Sequence, residues 1–150
     1  MLNLKNLLKF GSIFCALSTS RAVTFRDCGS VGATVSSVFI APCNEDPCVL
    51  FRNTPASIRI EFRAVIDIDA TRSTALGSFG NERMRVTLPT NGVCGRVNPS
   101  CLLRAGETYN YIFNAMVPGG VRRGPMLVRW ELLKRNGQMF LCFDFVVMIQ

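Results

Sequence analysis

The stretch Ile58-Arg59-Ile60-Glu61-Phe62-Arg63-Ala64-Val65-Ile66-Asp67-Ile68-Asp69 alternates apolar and polar side chains almost without interruption. Ile58, Ile60, Phe62, Ala64, Ile66 and Ile68 share one parity. Arg59, Glu61, Arg63, Asp67 and Asp69 share the other, with Val65 the exception. Successive side chains of a strand point to opposite faces, so a period of two means a strand with one dry and one wet face.

The same period recurs on both sides of this stretch. It appears at Met84, Val86 and Leu88, at Tyr109, Tyr111, Phe113, Ala115 and Val117, and at Met126, Val128, Trp130 and Leu132. A last strand from Gln138 to Ile149 places Leu141, Phe143, Phe145, Val147 and Ile149 on one face and Cys142 and Asp144 on the other. Weaker strands are predicted at Val23–Phe25, Val35–Ala41 and Cys48–Phe51. Turn-rich breaks fall at Gly77–Asn81, Pro89–Gly92, Pro118–Pro125 and Asn136-Gly137, the last a strong hairpin signal between two apolar strands. No amphipathic helix of useful length, repeat or low-complexity tract interrupts them. Seven or eight short strands with regular turns predict an all-β fold, an antiparallel sandwich of two sheets.

Six cysteines are spaced to staple such a sandwich: Cys28, the close pairs Cys43/Cys48 and Cys94/Cys101, and Cys142. The spans Asn44–Pro47 and Gly95–Ser100 have turn chemistry, so each pair can close a small loop locally. Cys28 and Cys142 are then left to join the two ends, although six cysteines formally allow fifteen pairings. Disulfides require an oxidising compartment, and the N-terminus supplies a route to one. Lys5 and Lys9 precede the apolar run Phe10–Leu17, followed by small residues at Ser20 and Ala22, so residues 1–22 read as a secretory signal peptide. Cleavage after Ala22 is the first choice, with Ser20 and Ser18 as alternatives. Cys15 would leave with that segment. The run is too short to anchor the chain in a bilayer.

Residues 23–150 then form one domain with its own core. The whole chain carries 17 Lys and Arg against 10 Asp and Glu; without the leader a smaller basic excess remains, nearly all of it arginine. In a secreted protein that excess suits anionic lipid or glycan surfaces rather than nucleic acid.

Catalysis finds little support in these residues. There is no histidine at all, which removes the usual general base, triad member and commonest zinc ligand. No phosphate-binding loop or dinucleotide fingerprint is present. Asp67 and Asp69 read as a solvated pair on the outer face of a strand, and Asp144 as either a half-buried carboxylate or an exposed one. The expectation is a non-enzyme without cofactor or metal.

Asp27-Cys28-Gly29-Ser30, Pro42-Cys43 to Pro47-Cys48, Gly106-Glu107-Thr108-Tyr109-Asn110-Tyr111 and the run from Val128-Arg129-Trp130 to Cys142 together resemble the Niemann–Pick type C2 family. That family belongs to the ML lipid-recognition domains, and the likeness spans the whole of residues 23–150. The resemblance implies an immunoglobulin-like sandwich with bridges Cys28–Cys142, Cys43–Cys48 and Cys94–Cys101. It also implies a sterol or other lipid held between the sheets and carried without chemical change, outside the cell or in the endosomal–lysosomal lumen. Recognition of bacterial lipids in immunity, or binding of semiochemicals, is the alternative within the same group. A membrane receptor or an anionic membrane surface is the expected partner.

The resemblance places Val86, Val117 and Val121 at the entrance to the ligand site. Sterol carriers tend to use larger aromatic groups at two of these positions, so valine gives a wider or differently shaped mouth. Ile60, Phe62, Leu88, Tyr109, Tyr111, Phe113, Val128, Trp130, Phe143 and Phe145 are the candidate deeper wall. The loop Pro118-Gly119-Gly120-Val121-Arg122-Arg123-Gly124-Pro125 offers two arginines between glycines, suited by their forked donors to a phosphate or carboxylate headgroup. A solvated hairpin whose charge deters edge pairing is the plainer use of the same residues.

Overall fold

The computed structural model describes residues 19–86 and 92–150. The strands, in chain order, are β1 (Arg21–Ala22), β2 (Arg26–Asp27), β3 (Ala33–Ala41), β4 (Cys48–Leu50), β5 (Pro55–Ala64) and β6 (Ile68–Phe79), followed by β7 (Glu82–Val86), β8 (Val97–Asn98), β9 (Leu102–Leu103), β10 (Thr108–Met116), β11 (Gly124–Lys134) and β12 (Met139–Ile149). One sheet runs β1-β3-β5-β10-β8 and the other β2-β12-β11-β6-β7, with β4 on β12 and β9 on β6. The architecture is therefore the expected immunoglobulin-like sandwich. One short ladder, Cys48–Leu50 beside Val147–Ile149, is parallel rather than antiparallel.

The stretch Ile58–Asp69 is not a single strand. It ends one strand at Ala64, turns at Val65–Asp67, and begins the next at Ile68 in the opposite sheet. Ile66, placed by its parity on the dry face, is exposed at the corner. The corner is tied down on both sides. Val65 N–H donates to Gly32 O, and Gly106 N–H donates to Ala64 O. The Asp67 carboxylate accepts from Ala105 N–H at 2.8 Å, while Asp69 accepts from the Arg135 side chain at 2.7 Å, so the two aspartates serve separate contacts. The alternation misleads because both inner faces share one core. A chain that crosses from one sheet to the other keeps its dry parity.

Three further expectations are corrected. The predicted strand at Val23–Phe25 is instead the crossing between β1, which pairs with β3, and β2, which pairs with β12. The break predicted at Gly77–Asn81 begins too early, because β6 runs through Gly77 and Ser78 to Phe79. Its inward residues, Ala70, Ser73, Ala75 and Gly77, are too small to register as an apolar strand. Gly77 is small for a reason: a Cβ there would come within 2.6 Å of the Met126 sulfur. Finally, β12 is buried on both faces from Phe140 to Phe145. The register shifts between Leu132 and Leu133, and the extra residue on β12 at this bulge, Phe140, turns into the core against Phe62.

The three bridges pair as the resemblance implies, Cys28–Cys142, Cys43–Cys48 and Cys94–Cys101, with Cα separations of 5.1, 5.0 and 4.7 Å. The first closes 114 residues and fastens β2 and the loop after it to β12. Beside it Asp144, 3% exposed, takes a two-pronged ion pair from Arg129 at 2.8 and 2.9 Å. That hydrogen-bonded guanidinium holds its carboxyl below the usual carboxylate range against the opposing effect of burial. The exposed reading of Asp144 is thus set aside.

Candidate functional site

Over half of its length the sandwich is closed by aromatic and aliphatic side chains from both sheets. Phe62 stacks on Tyr109 at 5.9 Å between ring centres and lies 6.4 Å from Phe140. Ile60, Phe143, Leu132 and Leu141 have no exposed surface. The polar tips in this half are satisfied. The Tyr109 hydroxyl accepts from Arg104 N–H at 2.7 Å and donates to Glu107 at 3.1 Å. The Tyr111 hydroxyl pairs with the Ser73 hydroxyl at 2.9 Å. Burial pushes the Tyr111 pKa up, while Ser73, the Arg96 charge and the adjacent Trp130 N–H pull it back.

Over the other half the side chains of the two sheets do not fill the interior. Between them lies an almost wholly apolar hollow of about 130 Å³. One wall comes from the first sheet through Ile40, Ala56, Ile58, Phe113, Ala115 and Val117. The facing wall comes from the second through Met84, Val86, Met126, Val128, Trp130, Phe145, Val147 and Ile149. Leu50, Pro118 and Val121 close its end, and the exposed Met116 stands at the rim. Alternation produces these walls directly: β10, β11 and β12 each contribute every second residue. A more open groove of about 690 Å³, lined in part by Phe51, Pro55 and Asn114, adjoins the hollow and shares Ala56, Ser57, Ala115 and Met116 with it.

Seven of the sequence candidates meet around this hollow: Val86, Phe113, Val117, Val121, Val128, Trp130 and Phe145. Ile60, Phe62, Tyr109, Tyr111 and Phe143 do not line it. They fill the closed half, where opposing rings leave no gap. Leu88 lies outside the described residues. Sequence reasoning missed the methionines Met84, Met116 and Met126 and the end residues Leu50 and Ile149 as wall. Methionine has no strand signature of its own, but its unbranched, polarisable chain suits a wall that must adapt to a guest.

In the basic loop Val121 turns inward and is 2% exposed, while Arg122 and Arg123 point to solvent. Arg122 is paired with Glu82 at 3.3 Å, both side chains exposed. Arg96 lies flat on the Phe113 ring, 4.6 Å from its centre, and so covers the outside of one wall. Among the described residues no cluster of His, Cys, Asp or Glu could hold a metal ion, and none of the described residues forms a helix long and apolar enough to cross a membrane.

The ML-domain family model matches residues 22–149. The NPC intracellular cholesterol transporter 2 of Bos taurus is 26% identical over 141 residues, covering 92% of this chain and 94% of that protein. The homolog a of the same transporter from Drosophila melanogaster is 28% identical over 148 residues, covering 96% of this chain and all of its own length. Among solved structures, a Niemann–Pick type C2 protein from the Japanese carpenter ant superposes with a TM-score of 0.73 at 20% identity, covering 85% of this chain and 99% of that one, a likeness of fold. The chain belongs to the ML-domain family, and its relatives within that family are of the Niemann–Pick type C2 kind.

Proposed function

We propose that this protein is a carrier that takes up a sterol or similar hydrophobic molecule between its two sheets and hands it on without chemical change. The observation that carries this reading is the apolar hollow at one end of an otherwise filled sandwich. A domain that only needed a core would close that end too, because each unfilled ångström cubed costs roughly 24 cal/mol. The names of the transporter relatives point the same way, and the lack of histidine argues against hydrolytic chemistry.

At about 130 Å³ the hollow is near the size of an engineered apolar cavity that takes up benzene, and below the roughly 300 Å³ at which drug-sized sites begin. A sterol must therefore part the walls or extend into the adjoining groove of about 690 Å³, and the methionines lining the hollow are the side chains with rotamer freedom to move aside. Apolar burial at about 25 cal/mol per Å² drives entry, opposed by the entropy of fixing the guest. The exposed Phe51 and Met116, with Arg123 nearby in sequence to Val121, make the mouth the end that would meet an anionic membrane or a receptor.

Export through the secretory route follows from the leader reading of residues 1–22, which largely precede the described residues. Cleavage after Ser20 would keep β1 in its sheet and cleavage after Ala22 would remove it; N-terminal sequencing of secreted protein decides between them. Titration with the fluorescent sterol dehydroergosterol tests the carrier reading. Saturation at one sterol per chain is expected, with competition by unlabelled cholesterol. Preferential displacement by an acylated glycolipid would instead favour the immune reading, and an absence of saturable lipid binding would end both.

A further inference from the structure

The outer face of the second sheet carries a line of arginines that the hollow does not use. Cross-strand pairing sets Arg85 opposite Leu76, Leu76 opposite Arg129, Arg129 opposite Asp144 and Asp144 opposite Arg26. One residue from each of five strands therefore stands in a single row across the sheet. The row belongs to the outer face, because Val86, Val128, Trp130 and Phe145, one residue away along their strands, line the hollow. Neighbouring strands lie about 4.8 Å apart, so arginines recur about every 10 Å along a row of about 20 Å. Arg83, on the same face and opposite Ser78, widens the β7 end of the row.

Most of this positive charge is uncompensated. Asp144 is the single carboxylate in the row and is 3% exposed beside Arg129 and Arg26. It takes Nε and one Nη of Arg129 at 2.8 and 2.9 Å. That fixes the guanidinium and leaves three of its five N–H donors for another acceptor. Arg83 and Arg85 are exposed and pair with no carboxylate among the described residues. Arg85 and Arg129 both line an outward cleft of about 200 Å³, together with Thr74, Ala75, Leu76 and Glu131. Glu131 is the one opposing charge in that cleft, and its carboxylate accepts from the Thr74 hydroxyl at 3.3 Å.

Regularly spaced arginines with a cleft between two of them suit a linear polyanion. A flat bilayer cannot enter the cleft, whereas one acidic group on a slender chain can. Protein interfaces are built around an apolar centre, but Leu76, the single apolar side chain of the row, is already half-buried. The exposed Leu127 and Val146 belong to the next row. Forked guanidinium donors match the oxygens of a sulfate as they match those of a phosphate. We propose that this row binds a sulfated glycan chain, laid across the strands from Arg26 to Arg85 with one sulfate in the cleft between Arg85 and Arg129. The site lies outside the sandwich and is independent of what the hollow holds. It gives an exported protein a means of retention at a cell surface or matrix.

The test titrates the whole secreted protein with a heparin octasaccharide at low and physiological salt. Saturable binding that weakens as salt rises is expected. Replacing Arg83 and Arg85 together by glutamine should weaken it about tenfold and flatten its salt dependence, because two charge contacts are lost. Arg63→Gln with Arg104→Gln removes the same charge from exposed positions off this face and should change affinity less than about twofold. Glu131→Gln, which removes the opposing charge, should tighten binding about two- to threefold. In the nitrogen-15 spectrum of the wild-type protein, the octasaccharide should shift the amides of Leu76, Arg85 and Arg129, a result that needs no variant. No saturable binding, equal losses in the two double variants, or weaker binding by Glu131→Gln overturns the proposal. So does displacement of the octasaccharide at lower charge concentration by polyglutamate or by phosphatidylserine vesicles, which would assign the face to an acidic protein or to a membrane. None of these outcomes bears on sterol uptake, so the carrier reading stands or falls separately.

Discussion

Enlarging Val128 to phenylalanine asks the hollow whether it is empty. Val128 is 6% exposed and faces the cavity from the middle of β11, between Gly77 and Phe145 on the neighbouring strands. Phenylalanine brings four more carbons. In a filled core such an insertion forces neighbours off their rotamers and costs about 1–3 kcal/mol. Into about 130 Å³ of apolar space the same carbons can enter without displacing anything, and at ~0.8 kcal/mol per buried CH₂ they contribute at most ~3 kcal/mol. Imperfect fit should reduce that gain, so Val128→Phe is expected to be neutral or stabilising by about 1 kcal/mol. Ile60→Phe supplies the contrast. Ile60 has no exposed surface and sits in the closed half, where the full overpacking cost of about 1–3 kcal/mol is expected. Urea denaturation of the two variants measures both signs, with the slope checked for unchanged two-state behaviour. Sterol titration should show Val128→Phe losing at least tenfold in affinity. Equal destabilisation by the two substitutions would refute the division into a filled and an open half.

Four other outcomes follow from the same geometry. Phe113→Ala removes a ring held between Trp130 and the Arg96 guanidinium; it should cost about 3 kcal/mol and weaken lipid binding, and unchanged affinity in the folded variant would remove Phe113 from the site. Replacing Cys28 and Cys142 together by serine frees a 114-residue span and should cost about 4–5 kcal/mol on chain-entropy grounds, read as a fall in the denaturation midpoint relative to the other two bridges. Asp144→Asn should cost about 2 kcal/mol near neutrality, because the Arg129 pair is lost. The folded state depresses the Asp144 pKa, so this contribution is whole above about pH 4 and fades as pH falls through the lower folded value; a wild-type advantage that grows on acidification would contradict it. Arg122→Ala with Arg123→Ala should slow sterol transfer to anionic vesicles more than to neutral ones, and equal losses on both would refute an electrostatic role.

The sandwich was legible because β10, β11 and β12 carry large apolar residues at every second position and bury them on one side. The bridges were legible because two of them close short loops. What escaped the sequence has physical causes. Period two says which residues are dry but not which sheet they belong to, so the corner at Val65–Asp67 was invisible. β6 was missed because its inward residues Ala70, Ser73, Ala75 and Gly77 are small, Gly77 making room for Met126 on the neighbouring strand. Phe140 was missed because a bulge breaks parity at one residue. The site divides in the same way. Phe113, Val128, Trp130 and Phe145 line the hollow, while Tyr111 and Phe143, two residues along from Phe113 and Phe145, are sealed in. Alternation assigns both groups to the inner face, and what distinguishes them is where along the strands the interior is left unfilled.

Native mass spectrometry of the secreted protein, recorded before and after gentle delipidation, addresses the carrier reading most directly. The account predicts a complex heavier than the bare chain by a single hydrophobic molecule, lost on delipidation and regained on adding sterol. A chain of unchanged mass that cannot be loaded with any lipid would contradict it.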